Sequence, residues 1–189
     1  SGDLDFIPLL KEINKFRKPV FISTGLSNHK KIQNALKLLK NCKVTILHCI
    51  SSYPTPIEQA NLKNILYLKI KYKNEIGLSD HTIGNVSALV AIGMGVRIIE
   101  KHFLPNSKIK HVGDFDLSLN PKQFKKFRLE INDAYLSLGN SRNDLYKSEI
   151  NFKKTLKRSI YYNNNLKKGD KINENDIICL RPFDENGIK

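Results

Sequence analysis

The sequence predicts an α/β fold in which parallel strands alternate with helices, as in half of a TIM (β/α)8 barrel. Apolar, β-branched runs begin near Val20, Val44, Ile76 and Val96, and a helical pattern follows each at a repeat of roughly 25 to 30 residues. Polar side chains follow every run, as they do at the carboxyl ends of barrel strands. No Gly-x-Gly-x-x-Gly follows a strand, which argues against a dinucleotide-binding sheet.

The first elements can be placed from apolar spacing and capping residues. Residues 5–16 predict an amphipathic helix, and residues 18–25 predict a strand that ends in Ser23 and Thr24. Ser27 or Asn28 can cap the next helix. Residues 44–49 predict the second strand, with a polar loop at its end.

Helix-start signals define two further elements. Thr55, Pro56 and Glu58 supply a capping residue, a proline at the first helical position and an acidic third position, which predicts one helix from residue 55 to about residue 72. Asn120 and Pro121 repeat the cap-plus-proline pattern and predict a helix to about residue 138.

Residues 77–103 are central to the pattern. They predict strand, helix, strand, and the two strands lead into Ser79-Asp80-His81 and Glu100-Lys101-His102. A right-handed crossover makes the strands parallel and brings both carboxyl ends to one side. Neighbouring strands lie roughly 5 Å apart. We therefore expect His81 and His102 to open onto one face, where both could bind a divalent ion at roughly 2 Å.

The simpler interpretation is that each histidine is a hydrogen-bonded structural residue. The surroundings favour a site, because Ser79, Asp80, Glu100 and Lys101 share the same rim. A packed core does not accommodate so many polar groups without partners.

The composition is that of an ordered protein. The 189 residues are 40% hydrophobic and include only 10 glycines and 7 prolines, which allows a sizeable core. No apolar run has the length of a membrane span, and no signal-peptide pattern occurs at the N-terminus, so we expect no membrane partner.

The net charge of +14 raises the question of a nucleic-acid partner. The lysines are scattered, and neither a glycine–aromatic RNA motif nor zinc-finger spacing accompanies them, so we expect none. The joint abundance of Lys, Asn and Ile is typical of a biased coding composition. An anionic small substrate is the functional alternative, since positive charge concentrates such ligands.

The three cysteines predict a reducing environment. Cys42, Cys49 and Cys179 are an odd number, widely spaced within apolar runs, so we expect reduced core thiols in a cytoplasmic protein. Cys49 directly follows His48, and this pair leaves a cysteine nucleophile open as an alternative.

The pattern also predicts domain boundaries. An open half-barrel would expose two unpaired parallel edges, so we expect residues 1–138 to be the C-terminal part of a barrel in a longer protein. The polar residues 139–157 predict a linker. Residues 158–189 predict a strand, a turn and a short helical turn at 173–178, too little to bury a core alone. We expect them to begin a second, small domain.

Six motifs occur in an order that resembles the sialic acid synthase family, whose members make N-acetylneuraminate, legionaminate or pseudaminate. They are KPVFISTG, HCISSYPTP, GLSDHT, IIEKHF, SLNP and RSIYYNNNLKKGDKINENDIICLRPFDENGI. The resemblance covers nearly the whole chain. It implies the C-terminal half of the barrel over residues 1–138 and, over residues 158–189, the start of an antifreeze-like (SAF) domain.

The resemblance implies an activity and its partners. The expected enzyme is a C–C bond-forming transferase that joins phosphoenolpyruvate to an N-acetylmannosamine-type sugar, giving a sialic-type nonulosonic acid and phosphate for cell-surface polysaccharide. It implies a divalent metal, usually Mn2+, with Mg2+ or Co2+ as alternatives. It also implies a cytoplasmic, domain-swapped homodimer.

The same resemblance assigns roles by position. His81 and His102 match the family's metal ligands, and the resemblance implies that these two histidines, together with Asp3, are the catalytic residues. The residues expected to contact phosphoenolpyruvate are Ser1, Ser23, Ser51 and Ser79. The sugar-binding residues match Tyr53, Asp114 and Arg181, the last of which would reach into the partner subunit's barrel. Glu100 and Lys101 match an acid–base pair and receive no firm role.

Some positions depart from the family pattern. Ile50 and Leu104 stand where threonines are usual, and residues 112–115 read VGDF in place of GPDH, so no particular sugar is implied. The resemblance implies that the family's phosphoenolpyruvate-binding lysine is to be expected before Ser1, and we expect this portion alone not to catalyse. Two alternatives remain open: another metal-using barrel aldolase or synthase, and a non-catalytic carbohydrate-binding or assembly protein.

Overall fold

The structure, a computed structural model, describes residues 2–105, 114–141 and 144–184. The chain divides into two compact units, Ser1–Gly139 and Asn140–Lys189. Strands and helices alternate through the first unit, which confirms the predicted α/β character. Its elements are α1 (Ile7–Phe16), β1 (Val20–Ser23), α2 (His29–Leu38), β2 (Val44–Cys49), α3 (Lys63–Lys71), β3 (Glu75–Asp80), α4 (Val86–Gly93), β4 (Ile99–Lys101) and α5 (Pro121–Ser137).

The four strands form one parallel sheet in the order β1-β2-β3-β4. Val20 lies opposite Val44 at the first interface, and Asp80 lies opposite Lys101 at the last. The carboxyl ends of all four strands therefore share one edge, as predicted. The loops that follow the strands are brought together at that edge.

Alternate strand residues separate the two faces of the sheet. Ile46, Ile76 and Leu78 are buried in the main core together with Ile65 and Ala91 from the helices. This is the helix-covered face. Because successive strand residues point to opposite sides, Leu47, Cys49 and Ser79 belong to the other face, which we call the inner face. The core thus covers one side of the sheet and leaves the inner face to supply polar groups at its edge.

Two helix starts follow the predicted capping rules. Asn28 Oδ1 accepts a hydrogen bond of 3.0 Å from Lys31 N and caps α2. Asn120 and Gln123 form a reciprocal capping box on α5, with both hydrogen bonds at 2.9 Å. Every helix in the described part of the chain is too short or too polar to span a lipid bilayer.

The prediction of one helix over residues 55–72 is wrong. Only Ile57–Gln59 form a 3₁₀ turn, and Asn61, with φ of 45°, interrupts the chain before α3. Thr55 does not cap a helix, because its N–H donates to His81 O at 2.9 Å and its hydroxyl donates to Ser52 O at 2.9 Å. These bonds hold the loop after β2 against His81.

The fourth strand lies further along the chain than predicted. Val96 N donates to Ala91 O at 3.0 Å, so Val96 belongs to the turn that ends α4. Pairing with β3 begins at Ile98, whose carbonyl accepts from Leu78 N at 3.0 Å. The strand is consequently Ile99–Lys101 and does not begin near Val96.

The second unit contains α6 (Lys147–Leu156), β5 (Ser159–Tyr162) and β6 (Ile177–Leu180). Helix α6 lies in the range expected to be a linker, and its start is capped by Glu149 Oε2, which accepts from Tyr146 N at 2.7 Å. Strands β5 and β6 pair antiparallel. The helical turn predicted at 173–178 is limited to the 3₁₀ residues Glu174–Asp176, because pairing with β5 extends the residues that follow.

Candidate active site

The two predicted histidines meet at the carboxyl edge of the sheet. Asp80 and Lys101 are paired in the β3–β4 register, and His81 and His102 are the next residues on each strand. Their ring centroids lie 5.0 Å apart, with the ring planes at 77°. The predicted convergence of two imidazoles on one face is confirmed. Their role as metal ligands stays a prediction.

Hydrogen bonding leaves the same nitrogen of each ring available. His81 Nδ1 lies 2.8 Å from the carbonyl oxygen of Ile50, which can only accept, so Nδ1 carries the proton. His102 Nδ1 lies 3.4 Å from Asp114 Oδ2, which favours the same tautomer. In the neutral form of each ring, Nε2 then keeps its lone pair. Support of Nδ1–H by a carbonyl or carboxylate is usual for metal-binding histidines, so these residues fit a divalent cation.

The two imidazoles differ in basicity. Burial lowers the pKa of His81, but hydrogen bonds with Cys49 and with the Ile50 carbonyl outweigh it and raise the pKa above its ordinary value. The pKa of His102 is lowered by burial and by the neighbouring charge of His81. A neutral His102 suits a metal ligand, because a doubly protonated imidazole has no free lone pair.

Two of the predicted sugar-binding residues lie beside the histidines. The Tyr53 ring centroid is 4.3 Å from that of His81 and 5.6 Å from that of His102. Tyr53 is 46% exposed, and Asp114, next to His102, is also about half exposed. Both can therefore meet a ligand from solvent. Arg181 lies in the second unit, where its Nε donates to Leu156 O at 2.8 Å.

The serines expected to contact phosphoenolpyruvate occupy neighbouring strand ends. Ser23 ends β1, Ser51 follows β2, and Ser79 lies near the end of β3. Ser79 Oγ donates to Glu100 Oε1 at 2.6 Å. Ser51 Oγ is so close to Gly25 that a Cβ on that glycine would lie 2.0 Å from it. Hydroxyl groups from three adjacent strands thus line the edge.

The remaining two predicted positions lie at the start of the chain. Asp3 is exposed and shares with Ser23 a cavity of about 150 Å³. Ser1 is outside the described residues. The phosphate contact assigned to Ser1 and the catalytic role assigned to Asp3 stay predictions.

Cys49 does not pair with His48. Consecutive strand residues point to opposite faces, so Cys49 lies on the inner face with its Sγ 4.0 Å from His81 Nδ1. Burial raises the pKa of the Cys49 thiol, but hydrogen bonds from His81, Ser51 and Ser79 outweigh it and lower the pKa overall. The expectation that all three cysteines are core thiols is wrong for Cys179, which is exposed on the edge of a two-stranded sheet.

His48 is a structural histidine and should make the fold sensitive to acid. It is 2% exposed, its Nε2 donates to Ala60 O at 2.8 Å, and burial lowers its pKa from the ordinary 6.5. An unfolded chain therefore binds this proton more readily than the folded one. We expect the contribution of His48 to stability to be complete above pH 6.5 and to be lost as the pH falls towards the folded-state pKa.

Urea unfolding of wild type and His48→Gln between pH 7.5 and 5 measures this effect. The wild type should lose more free energy of unfolding than the variant across that interval. Equal slopes with pH in the two proteins would show that His48 titrates alike in the folded and unfolded states. The slope difference between the proteins isolates His48 from the other histidines, which are common to both.

The structure also gives Lys101 a partner that the motifs alone did not assign. Lys101 Nζ lies 2.8 Å from Asp80 Oδ2, and both side chains are 1% exposed. A sequence signal for this pair exists, because each residue directly precedes a predicted ligand histidine on neighbouring strands. Within the described ranges, no group of three or more His, Cys, Asp or Glu side chains is arranged to hold a metal.

Comparison with known proteins identifies the family of the chain. Residues 1–143 match the NeuB family. The chain is 33% identical over 193 residues to the N,N'-diacetyllegionaminic acid synthase of Campylobacter jejuni, covering 100% of this chain and 57% of that protein. It is 35% identical over 185 residues to the pseudaminic acid synthase of Campylobacter jejuni, covering 96% of this chain and 52% of that protein.

A solved structure supports the same family assignment. The crystal structure of the N-acetylneuraminic acid synthetase of Leptospira borgpetersenii, in complex with citrate, superposes with a TM-score of 0.70 at 32% identity, covering 82% of this chain and 56% of that one. The sheet described here is the parallel half-barrel sheet of such proteins. The chain spans about half the length of the curated relatives it matches. On this evidence, it belongs to the NeuB family.

Proposed function

We propose that the full protein joins phosphoenolpyruvate to an N-acetylmannosamine-type sugar, giving a nonulosonic acid and phosphate. The observation that carries the proposal is the pair of imidazoles, 5.0 Å apart, with both Nε2 atoms available beside Tyr53 and Asp114. Membership of the NeuB family and likeness to legionaminic and pseudaminic acid synthases support the reaction class.

In this proposal His81 and His102 hold a divalent cation, with Mn2+ as the first choice and Mg2+ or Co2+ as alternatives. Bound there, the ion would act as a Lewis acid on the sugar aldehyde and orient the attacking water. The Ile50 carbonyl and the Asp114 carboxylate keep both rings in the tautomer that this requires. With only these two histidines holding it, the ion would remain accessible to substrate and water.

The hydrogen bond between Ser79 and Glu100 affects how the serines at the strand ends would bind phosphoenolpyruvate. Ser79 now directs its proton to Glu100, and a bare carboxylate repels an anionic ligand. Rotation of the Ser79 hydroxyl away from Glu100 would direct its proton to a substrate oxygen. Ser51 and Ser23, at the ends of the neighbouring strands, would supply further donors.

Tyr53, Asp114 and Arg181 are proposed to bind the sugar. The exposed flank of Tyr53 and the carboxylate of Asp114 offer hydrogen bonds to hydroxyl and acetamido groups next to the reacting carbon. Arg181 would contribute from the SAF domain of the other subunit in a domain-swapped homodimer. This part of the proposal rests on the family resemblance.

Phosphate release by the full chain tests the proposal. We expect release with phosphoenolpyruvate and at least one N-acetylated mannosamine-type sugar, loss of release on chelation, and recovery when Mn2+ is added. Release with a non-acetylated aldehyde substrate alone would indicate a different barrel synthase. No release with any sugar, with Mn2+ present and the protein folded, would favour a carbohydrate-binding protein without catalysis.

A further inference from the structure

A buried cation lies directly behind the two histidines. Lys101 Nζ donates to Asp80 Oδ2 at 2.8 Å, to Thr82 O at 2.5 Å and to Gly84 O at 3.0 Å. An ammonium has three protons, so this set satisfies all of its donors. The Lys101 and Asp80 side chains are each only 1% exposed. The contacts join the end of β4 to the loop that follows β3.

The cluster lies next to both histidines in the β3–β4 register. Asp80 and Lys101 are opposite residues in the register, and each directly precedes a histidine of the pair. Because strand side chains alternate, Asp80 and Lys101 point to the helix-covered face while Ser79 and Glu100 point to the inner face. The ion pair therefore connects the two strand ends on the helix-covered face and leaves the inner face accessible to a ligand.

The same cluster fixes the backbone on both sides of His81. Asp80 Oδ1 accepts from Thr82 N at 2.9 Å and from Thr82 Oγ1 at 2.8 Å. Lys101 holds the carbonyls of Thr82 and Gly84. The residues before and after His81 are thus held by one cluster of hydrogen bonds. That cluster includes Lys101, the residue that directly precedes His102.

Stability alone gives no reason to bury these charges here. A buried ion pair is often no more stabilising than well-packed apolar residues of the same size, because both charges must be removed from water. What the pair adds is a fixed geometry. We propose that Lys101 is a positioning residue, which through Asp80 and the carbonyls of Thr82 and Gly84 sets the distance and direction of the His81 and His102 rings. The consequence for metal binding rests on the proposed function above.

Lys101→Met tests this inference, since methionine keeps much of the side-chain length and removes the charge. Lys69→Met is the matched control, because Lys69 Nζ also donates to a carbonyl, Met94 O at 2.7 Å, and Met94 follows the end of α4. Two measurements are made on the full chain: the ring resonances of His81 and His102 by NMR without metal, and the Mn2+ affinity by electron paramagnetic resonance. Ring resonances are assigned with His→Gln variants.

We expect Lys101→Met to shift both histidine ring resonances and to weaken Mn2+ binding by about 10- to 100-fold, the usual cost of losing a group that supports a metal ligand. Lys69→Met should leave the resonances in place and the affinity within about twofold. Where Lys101→Met does not fold, Asp80→Asn gives the same readout, because it removes the charge and keeps the size. Unchanged resonances and affinity, or equal losses in Lys69→Met, would overturn the inference.

The two readouts separate this inference from the proposed function. If neither His81→Gln nor His102→Gln affects Mn2+ binding, the metal assignment is wrong, and the metal-free ring resonances alone decide the role of Lys101. If those variants abolish binding while Lys101→Met does not change it and leaves the rings in place, the metal site stands and the positioning role fails.

Discussion

In the full chain, His102→Gln is expected to lower the rate of phosphate release by about 10³-fold, because Lewis-acid stabilisation by a metal is worth several kcal/mol. The loss should fall mainly on kcat, since the ion acts on the reacting aldehyde. Glutamine keeps a polar side chain of similar size at a position that is 28% exposed, so the fold should be retained. The rate is measured at saturating phosphoenolpyruvate and sugar with added Mn2+.

His29→Gln is the control for this substitution. His29 lies on α2 and contacts Tyr72 and Tyr67, so it tests the loss of a histidine away from the candidate site. Its kcat should stay within about twofold of wild type. A His102→Gln enzyme that keeps wild-type kcat and Mn2+ dependence would remove His102 from the proposed metal site.

Gly77→Ala is expected to lower the free energy of unfolding by about 3 kcal/mol, the upper part of the usual range for overpacked cores. An added Cβ would lie 2.5 Å from Leu47 Cδ2 and 2.7 Å from the backbone oxygen of Ile98. The leucine can rotate, but the Ile98 oxygen accepts the hydrogen bond from Leu78 N that begins the β3–β4 pairing. Relief of the clash therefore moves β4, which carries His102.

Urea denaturation of wild type and variant gives the free energy of unfolding and its slope. Gly93→Ala is the matched control, because Gly93 ends α4 and an added Cβ there meets no atom within 4 Å. That change should leave stability unchanged or raise it by up to about 1 kcal/mol. If the free energy of unfolding of Gly77→Ala equals that of the wild type, the sheet accommodates a methyl group between β2 and β4.

Much of the candidate site could be predicted because the parallel direction of the strands alone determines which residues lie at the same edge of the sheet. Once residues 77–103 are recognised as strand, helix and strand, the position of His81 and His102 on one edge follows from the direction of the strands. The same argument places Ser23, Ser51 and Ser79 along that edge. None of these placements requires side-chain detail.

The features that the sequence did not reveal depend on contacts between distant residues. Thr55 fits a helix cap locally, but its hydrogen bonds to His81 O and Ser52 O place it in the loop beside the histidines. Val96 has the composition of a strand, but its N–H completes the end of α4. The partner of Cys49 was missed because the adjacent histidine in the chain points to the opposite face.

The register of β3 and β4 also determines where this protein can change length. A residue inserted between β3 and β4, in the loop or helix that joins them, leaves Asp80 opposite Lys101 and both imidazoles on the inner face. A residue inserted within either strand would turn one histidine to the helix-covered face, because side chains reverse sides at every step. Insertions and deletions among relatives should therefore collect in the crossover and spare the strand ends.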